Sequence, residues 1–438
     1  MQILIYILFV SILTLDYFSR VLGIISSYLT IFPELLSIVV TILIAIEFAK
    51  KRSIEIEVKY VIFFLLFGLH LVNGILLNDA SVGAIIAGMR IYLKYIPFFL
   101  LPMVYQFSEK NIRYQLNWLL FLLLIQCPIA VLQRFVFYKN VPSGDVVRGT
   151  MATGSFLSIL LISGIAITLG FYLKKRISLR LFISIVLLLF IPTTINETKG
   201  SLILLPIALF VPALITKWED KKPLKLISVA FIGISSLVGF VKIYDYMGME
   251  GQQNNMKISK FFTDENELKH YLAPKSSGMV TRNDAPAGRL DTIIAPLERF
   301  SNDPIHLLVG IGMGNVTNTS FGLLSGGELK LRQEGVVDVA ASYLLWEIGL
   351  GGLLLSFVLL AMFFSDARHV SAEDGIVSDI ALGWVGVVLI ISIGLFYKDI
   401  IRVNGIMYLF WYFSGHIVAE RFRIKRRGPL NEYTLTTN

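Results

Sequence analysis

Apolar runs of roughly 17–25 residues recur along the chain and are separated by short polar turns. At 1.5 Å per residue, a helix of this length crosses about 30 Å of hydrocarbon. The runs show no strict apolar–polar alternation, so they predict helices and not the strands of a barrel. The pattern predicts twelve membrane-spanning helices, at residues 2–19, 31–49, 60–77, 83–106, 117–136, 151–173, 179–195, 200–216, 225–243, 337–364, 378–396 and 402–419.

One long hydrophilic interruption, residues 244–336, stands between the ninth and tenth predicted spans. Within it, apolar residues at i, i+3, i+4 and i+7 spacing predict an amphipathic helix that lies on the membrane surface or packs over the spans. The run HLLVGIGMG, residues 306–314, is too short to cross a membrane and predicts a buried or re-entrant segment. The helical stripe consists of Leu290, Ile293, Ile294, Leu297 and Phe300.

The composition excludes an ordinary soluble domain. Hydrophobic residues make up 55% of the chain and charged residues only 16%, and the mean hydropathy is +0.72. The single cysteine, Cys127, rules out a disulfide framework within the chain. The first apolar run has no basic residues before it and is expected to remain as a helix. We therefore expect an all-α, polytopic integral membrane protein that forms a single membrane domain over residues 1–438.

The distribution of basic residues predicts the orientation. With the N-terminus in the cytoplasm, internal segments hold about twenty Lys and Arg residues and the short external segments about five. Both termini are then cytoplasmic, including the basic tail at residues 420–438, and the long loop is external. The net charge of +8 is explained by topology and by contact with anionic membrane lipid, so no nucleic-acid partner is expected. An enzyme on the external side lacks ATP and nucleotide sugars and needs an activated, lipid-borne substrate.

Two cations lie within the fourth predicted span. Arg90 and Lys94 are four residues apart on one helix face, at depths of about 10 and 16 Å. Charge inside a membrane costs roughly 3 kcal/mol or more per residue, so such groups usually line a polar cavity. One interpretation is a cradle for a lipid diphosphate. The alternatives are snorkelling to the interface or pairing with a carboxylate.

Further cations stand at the external ends of spans, where one alone is commonly an interfacial anchor and several could bind one anionic ligand. Arg148 and Lys199 have small neighbours that permit close approach. The other predicted substrate contacts of this kind are Lys398 and Arg402.

The loop and its exit supply the remaining candidates. Arg289 opens the amphipathic helix, where the helix dipole disfavours a cation unless an anion compensates it. His306 is a candidate base or substrate contact, or an incidental loop histidine. Asp338 is either the N-cap of the tenth span or a catalytic group. Glu347, about two and a half turns further in, is either a substrate contact or the partner of a basic neighbour. No Cys/His metal spacing occurs, and neither a metal nor a cofactor is expected.

Several of these elements together resemble the O-antigen ligase and O-antigen polymerase family of bacterial envelope glycosyltransferases. The stretch GRL…AP…SNDPIHLLVGIGMGN is followed by SYLLWEIGLGG, which ends in the Glu-x-Gly-x-x-Gly signature of the family. The middle segments DVVRGTMATGSFLS and ETKGSLILLP are also similar, so the resemblance covers residues 145–352. The matching positions are Arg289, Pro304 to Gly314, Glu347, Gly349 and Gly352.

The resemblance implies transfer of a glycan from an undecaprenyl-diphosphate carrier, on the outer face of the bacterial cytoplasmic membrane, to a lipid-linked repeat unit. Arg289, Lys199, Arg148 and Arg90 would hold the departing diphosphate, and Asp338 or a loop histidine would assist the acceptor hydroxyl. A flippase and a chain-length regulator of the same pathway are the expected protein partners. Ligases carry a histidine at the position of Asp338, so the sequence favours a polymerase. The alternatives are a ligase and, from another class, a flippase or transporter of lipid-linked sugars.

Overall fold

The computed structural model describes residues 1–141, 144–216, 223–249, 289–316 and 339–427, and all regular structure within them is helical. Sixteen α-helices are described over these ranges. They are α1 Gln2–Asp16, α2 Phe32–Lys51, α3 Val58–Leu77, α4 Val82–Tyr92, α5 Ile96–Val104, α6 Glu109–Leu124, α7 Gln126–Leu132, α8 Gly154–Leu173, α9 Leu179–Ile195, α10 Ser201–Ile215, α11 Pro223–Met249, α12 Arg289–Arg299, α13 Pro304–Val309, α14 Ala340–Val370, α15 Ile376–Tyr397 and α16 Asn404–Arg427.

Seven helical segments in the described part of the chain are long and apolar enough to cross a membrane, and an eighth is added if the bent pair α4–α5 counts as one crossing. This confirms an all-helical, multi-pass membrane architecture but not the predicted count of twelve spans. The remaining predicted spans correspond to helices that are too short or not apolar enough to count as crossings. The apolar helices α9 and α10 and the apolar part of α11 are too short, and α16 is interrupted by polar residues.

The core lies between α8, α14, α15 and α16. In α15 and α16, long stretches are buried on every side, which is typical of central helices in a bundle. Helices α2 and α3 instead expose large apolar side chains, as expected where a bundle meets lipid. Glycines permit close helix crossings: a Cβ on Gly170 would approach the backbone oxygen of Asp379 to 2.5 Å, and one on Gly383 that of Ala166 to 2.4 Å.

Two helices are broken by identifiable residues. The chain bends by 47° between α4 and α5, where Pro97 follows the break. In α14 the helix is interrupted at Gly349, which has a φ of 62°. We call the end of the bundle that carries α12 and α13 the loop face. The opposite end, which carries the basic last turn of α16, is the tail face.

Candidate functional site on the loop face

Helix α12 covers the beginning of α14. A helix lies where the amphipathic helix was predicted, and the residues that it buries are Thr292 and Pro296. Of the predicted apolar stripe, only Phe300, just after the helix, is buried. The Ser342 hydroxyl of α14 donates a 2.6 Å hydrogen bond to the carbonyl oxygen of Thr292. The stripe residue Leu290 remains 45% exposed. An apolar stripe beside a packed face suits a helix that lies at a membrane surface.

Arg289, the first residue of α12, lies over an aromatic ring. The guanidinium carbon is 4.5 Å from the ring centroid of Tyr397, at the end of α15. The same ring packs against Gly200, where an added Cβ would come within 2.7 Å of it. Gly200 follows Lys199 directly in the chain. Tyr397 therefore contacts Arg289 and packs against the residue that follows Lys199.

Lys199 belongs to a tight turn between α9 and α10. The side chain of Asn196 fixes this turn, because its Nδ2 donates to the carbonyl oxygen of Gly154 at 2.9 Å and its Oδ1 accepts from the amide of Thr198 at 3.1 Å. Glu197 adopts a left-handed backbone with a φ of 56°, which is uncommon outside glycine. Such conformations persist where the surroundings enforce them and are frequent at functional sites.

Glu197 is held in that turn by Arg134, whose Nη2 donates to its Oε1 at 3.0 Å. Burial raises the pKa of the Glu197 carboxyl, and the Gly144 amide and the Arg134 guanidinium oppose that shift. Arg134 also donates to the carbonyl oxygen of Val141 at 3.4 Å. Arg134 thus links the connection before α8 to the turn that carries Lys199.

Arg148 lies in the same connection and is half-buried. Its amide donates to Oε1 of Gln133 at 3.0 Å, and its Nη1 donates to the carbonyl oxygen of Ala152 at 3.3 Å. Its Nε is buried and has no hydrogen-bond partner in the described part of the chain. A buried donor of this kind costs about 1–3 kcal/mol unless water or a ligand satisfies it.

Arg402 stacks on the aromatic ring of Tyr343. The guanidinium carbon is 3.6 Å from the ring centroid, and the Nε lies 3.5 Å from an oxygen of Asp399. Lys398 contributes its carbonyl oxygen, which accepts from the amide of Ala340 at 3.2 Å. The connection between α15 and α16 is therefore fastened to the start of α14, and it carries both predicted cations.

Glu347 is completely buried. Its Oε2 accepts a 2.8 Å hydrogen bond from the Tyr92 hydroxyl, and its Oε1 accepts one of 3.2 Å from the amide of Val316. The sequence allowed a basic partner or a substrate contact for Glu347. The structure shows a carboxylate that ties α4 and the segment after α13 to α14.

The glycine-rich run after α13 is buried, as predicted, and fits the break in α14. Gly310, Gly312 and Gly314 all have positive φ angles, of 74°, 92° and 83°. A Cβ on Gly310 would lie 2.6 Å from the carbonyl carbon of Glu347, and one on Gly349 would lie 2.5 Å from that of Leu308. The two backbones touch here, which only glycine permits.

Arg90 and Lys94 meet a carboxylate that the sequence analysis did not identify. Nε of Arg90 is 2.6 Å from Oε2 of Glu34 in α2, and Nζ of Lys94 is 3.4 Å from Oε1. Nζ of Lys94 also donates to Oδ1 of Asn404 at 2.8 Å. The structure therefore shows the pairing alternative. Contact of either cation with a substrate stays a prediction.

His306 is held between two acceptors. Its Nδ1 lies 2.6 Å from Oδ2 of Asp303, and its Nε2 lies 3.0 Å from Oδ1 of Asn78. The Asn78 amide is oriented because its Nδ2 donates to the carbonyl oxygens of Gly74 and Gly310, at 2.8 and 3.2 Å. These contacts fasten α13 to α3. A role of His306 as a base or a substrate contact stays a prediction.

Several predicted site residues are supported by a neighbouring ring or carboxylate, and Arg90 and Lys94 share Glu34. Sequence reasoning missed those neighbours, because an aromatic ring or a carboxylate that supports a cation has no local signature. Asp338 and the second histidine of the long loop, His270, lie outside the described residues. Within the described ranges, no group of three or more His, Cys, Asp or Glu side chains could hold a metal ion. The supporting residues are Glu34, Glu197, Tyr343 and Tyr397.

No protein-family model matches the chain. No curated protein matches it either.

Proposed function

We propose that the protein is a polysaccharide polymerase, a membrane glycosyltransferase that moves a glycan from a lipid diphosphate to a lipid-linked repeat unit. The observation that carries the proposal is the position of Tyr397, with the Arg289 guanidinium on its ring and the Lys199–Gly200 turn against it. This supports a site in which the cation of Arg289 from the loop and that of Lys199 from the bundle act on one substrate. A diphosphate leaving group needs this kind of fixed positive charge.

In the proposed reaction, the acceptor hydroxyl oxygen forms a bond to the anomeric carbon of the donor sugar. The bond from that carbon to the diphosphate oxygen breaks, and its electron pair leaves with the diphosphate. Arg289, Lys199 and Arg148 stabilise the developing negative charge, and the hydroxyl proton passes to Asp338. Two lipid-anchored substrates held on one face also gain from proximity.

The proposal includes the orientation. The loop face is external and the tail face is cytoplasmic, because the basic residues concentrate on the tail side. The carrier is proposed to be undecaprenyl diphosphate in a bacterial cytoplasmic membrane. Its proposed partners are a flippase that delivers the lipid-linked units and a regulator of chain length.

The test is a reconstituted reaction with purified full-length protein and lipid-diphosphate oligosaccharide, analysed by gel for product length. Arg289→Ala should lower the transfer rate about 100- to 1,000-fold, the typical effect of removing one group that stabilises transition-state charge. Arg299→Ala is the matched control, since Arg299 is an exposed arginine of the same helix. A full-length polymer ladder from Arg289→Ala at normal protein level would overturn the assignment.

The same reaction separates a polymerase from a ligase. A ladder of increasing repeat number identifies repeated addition to lipid-linked units. A single product after one transfer to a different acceptor identifies a ligase.

A transporter of lipid-linked sugars is the second candidate, and the broken helices favour it. The 47° bend between α4 and α5 and the interruption of α14 at Gly349 are of the kind that transporters use at binding sites. A deletion strain distinguishes the two classes. Single repeat units accumulate on the outer leaflet if the enzyme is missing, and on the inner leaflet if the transporter is missing.

A further inference from the structure

A polar cavity lies on the tail face, at the far end of the bundle from the proposed transfer site. Its volume is about 530 Å³. The ends of α8, α10 and α14 and one turn of α16 enclose it. The lining consists of Lys174, Ile215, Thr216, Arg368, His369, Ser371, Ala372, Glu373, Leu382 and Arg421.

The lining is strongly basic. Lys174, Arg368 and Arg421 carry positive charge, and Glu373 is the only carboxylate among the lining residues. Nζ of Lys174 donates to the backbone carbonyl oxygen of Glu373 at 2.9 Å, so the contact between these two residues does not use the carboxylate. Nδ1 of His369 lies 2.7 Å from the carbonyl oxygen of Ser365, one turn earlier in α14.

Two other cations of the tail face are paired. Lys59 lies 2.5 Å from Asp366 and Arg176 lies 2.9 Å from Asp379. By contrast, no carboxylate of the described residues lies within 4.0 Å of the Arg368 or Arg421 side chain. Among the described residues, the two arginines of the cavity therefore have no ion-pair partner.

Helix ends explain only part of this arrangement. Lys174 caps α8, and Arg368 stands in the last turn of α14, where the helix dipole favours a cation. The helix dipole does not supply a hydrogen-bond acceptor for Arg421. Its Nε is buried and has no hydrogen-bond partner among the described residues. A buried guanidinium N–H without an acceptor is unfavourable, so a ligand that supplies an acceptor is stabilised there.

We infer that this cavity binds a phosphate group, carried by an anionic phospholipid headgroup or by a soluble phosphate compound of the cytoplasm. Phosphate oxygens supply the acceptors that the guanidinium groups require, and arginine suits them because of its planar set of donors. Basic pockets between membrane helices on the cytoplasmic side are a known form of headgroup site. The inference does not depend on the proposed transferase activity.

The experiment measures thermal unfolding of the purified full-length protein in two arms. In the first, the protein is in nanodiscs of phosphatidylcholine, with increasing phosphatidylglycerol. In the second, it is in neutral detergent, with increasing inorganic phosphate. A ligand that binds the folded state raises the unfolding midpoint with concentration. A rise in the first arm alone identifies the headgroup, and a rise with free phosphate identifies a soluble ligand.

The double variant Arg368→Gln with Arg421→Gln should weaken the apparent affinity about thirtyfold, at about one factor of five per cation. The control Lys50→Gln with Arg52→Gln removes the same charge from exposed residues of the tail face and should leave the affinity unchanged. If the double variant does not fold, Arg368→Gln alone, at an exposed position, should weaken binding about fivefold. A midpoint that responds equally in the variant and the control, or in neither arm, would overturn the inference.

Discussion

Ion pairs occur on both faces of the bundle, but the loop face also supports two arginines on aromatic rings. On the tail face, carboxylates bind Lys59 and Arg176, through Asp366 and Asp379, and on the loop face Glu34 binds Arg90 and Lys94. In addition, Arg289 lies over the ring of Tyr397, and Arg402 over that of Tyr343. The aromatic contact supports the flat face of a guanidinium, whereas a carboxylate takes the N–H groups along its edge.

A direct ion pair ties two helices together, which serves the assembly of the bundle. A ring beneath a guanidinium holds that group at a defined place. Under the proposed function, Arg289 on the ring of Tyr397 serves the anionic substrate, and the ion pairs of the tail face serve the assembly of the bundle. Substitutions on the two faces should accordingly affect different measurements.

The largest effect is expected at the glycine-rich run of the loop face. An added Cβ on Gly314 would lie less than 2 Å from the carbonyl oxygen of Ala84, at a φ of 83°. Gly314→Ala should therefore displace the run from α4 and destabilise the protein by about 4 kcal/mol, from clash and backbone strain together. The unfolding midpoint in detergent measures this.

Gly68→Ala is the matched control. Nothing lies within 4 Å of the added Cβ at Gly68, which is in the interior of α3. It should leave stability unchanged or raise it by about 1 kcal/mol, because alanine favours a helix over glycine. Equal destabilisation by both substitutions would contradict the proposed fit of the run against α4.

The second effect concerns the tail face. Asp366 is buried and accepts from Nζ of Lys59 at 2.5 Å and from the Tyr60 hydroxyl at 2.7 Å. Asp366→Ala leaves the Tyr60 hydroxyl unsatisfied and should cost about 3 kcal/mol, at the lower limit for a broken buried pair because Lys59 is partly exposed. The unfolding midpoint should fall. The transfer rate per folded molecule should not change, and a large loss of that rate would contradict the separation of the two faces.

The third effect tests the aromatic support itself. Tyr397→Leu removes the ring beneath Arg289, a contact worth about 0.5–2 kcal/mol, and should slow the proposed transfer about 3- to 30-fold. Tyr397→Phe keeps the ring and should retain most of the rate. The two rates are compared in the reconstituted reaction at equal amounts of folded protein. A loss in the phenylalanine variant as large as in the leucine variant would show that the hydroxyl, not the ring, is what matters.

The sequence predicted the helical membrane architecture well, because burial in hydrocarbon is a local property of composition. It could not give the number of crossings. Helices α9 and α10 are apolar but short, and α16 is long but carries polar residues within buried surroundings. In these segments, neighbouring helices and not lipid determine what a side chain contacts. A pattern along one chain segment does not contain that information.

The sequence predicted only part of the candidate site, and the reason is the same. Arg289 was found because it begins an amphipathic helix, a pattern visible in the sequence. Its support by Tyr397 depends on a contact between residues more than a hundred positions apart. Glu34 was missed as the partner of Arg90 because the two residues lie in different helices. The chemistry of a side chain can be read from the sequence, whereas the residue that supports or balances its charge depends on the tertiary structure.

The smallest expected effect is the pH dependence of the contacts of His306 with Asp303 and Asn78, which join α13 to α3. The amide and then the ring of His306 donate to Asp303, and these hydrogen bonds lower the pKa of its carboxyl. An acid with a lowered folded-state pKa stabilises the fold above its unfolded pKa, about 3.9 for aspartate, and loses that contribution as the pH falls through the folded value. Asp303→Asn keeps an acceptor that can cap α13 but cannot titrate.

The unfolding midpoint of Asp303→Asn should consequently lie slightly below that of the unaltered protein at neutral pH. The two should converge as the pH falls below the folded pKa of Asp303. Asp303→Ala also removes the cap of α13 and should lose a further amount that does not vary with pH. If the difference between Asp303→Asn and the unaltered protein persists at the lowest pH, the carboxylate charge is not what holds His306. The contact between Asp303 and His306 would then resemble the neutral hydrogen bonds elsewhere on the loop face.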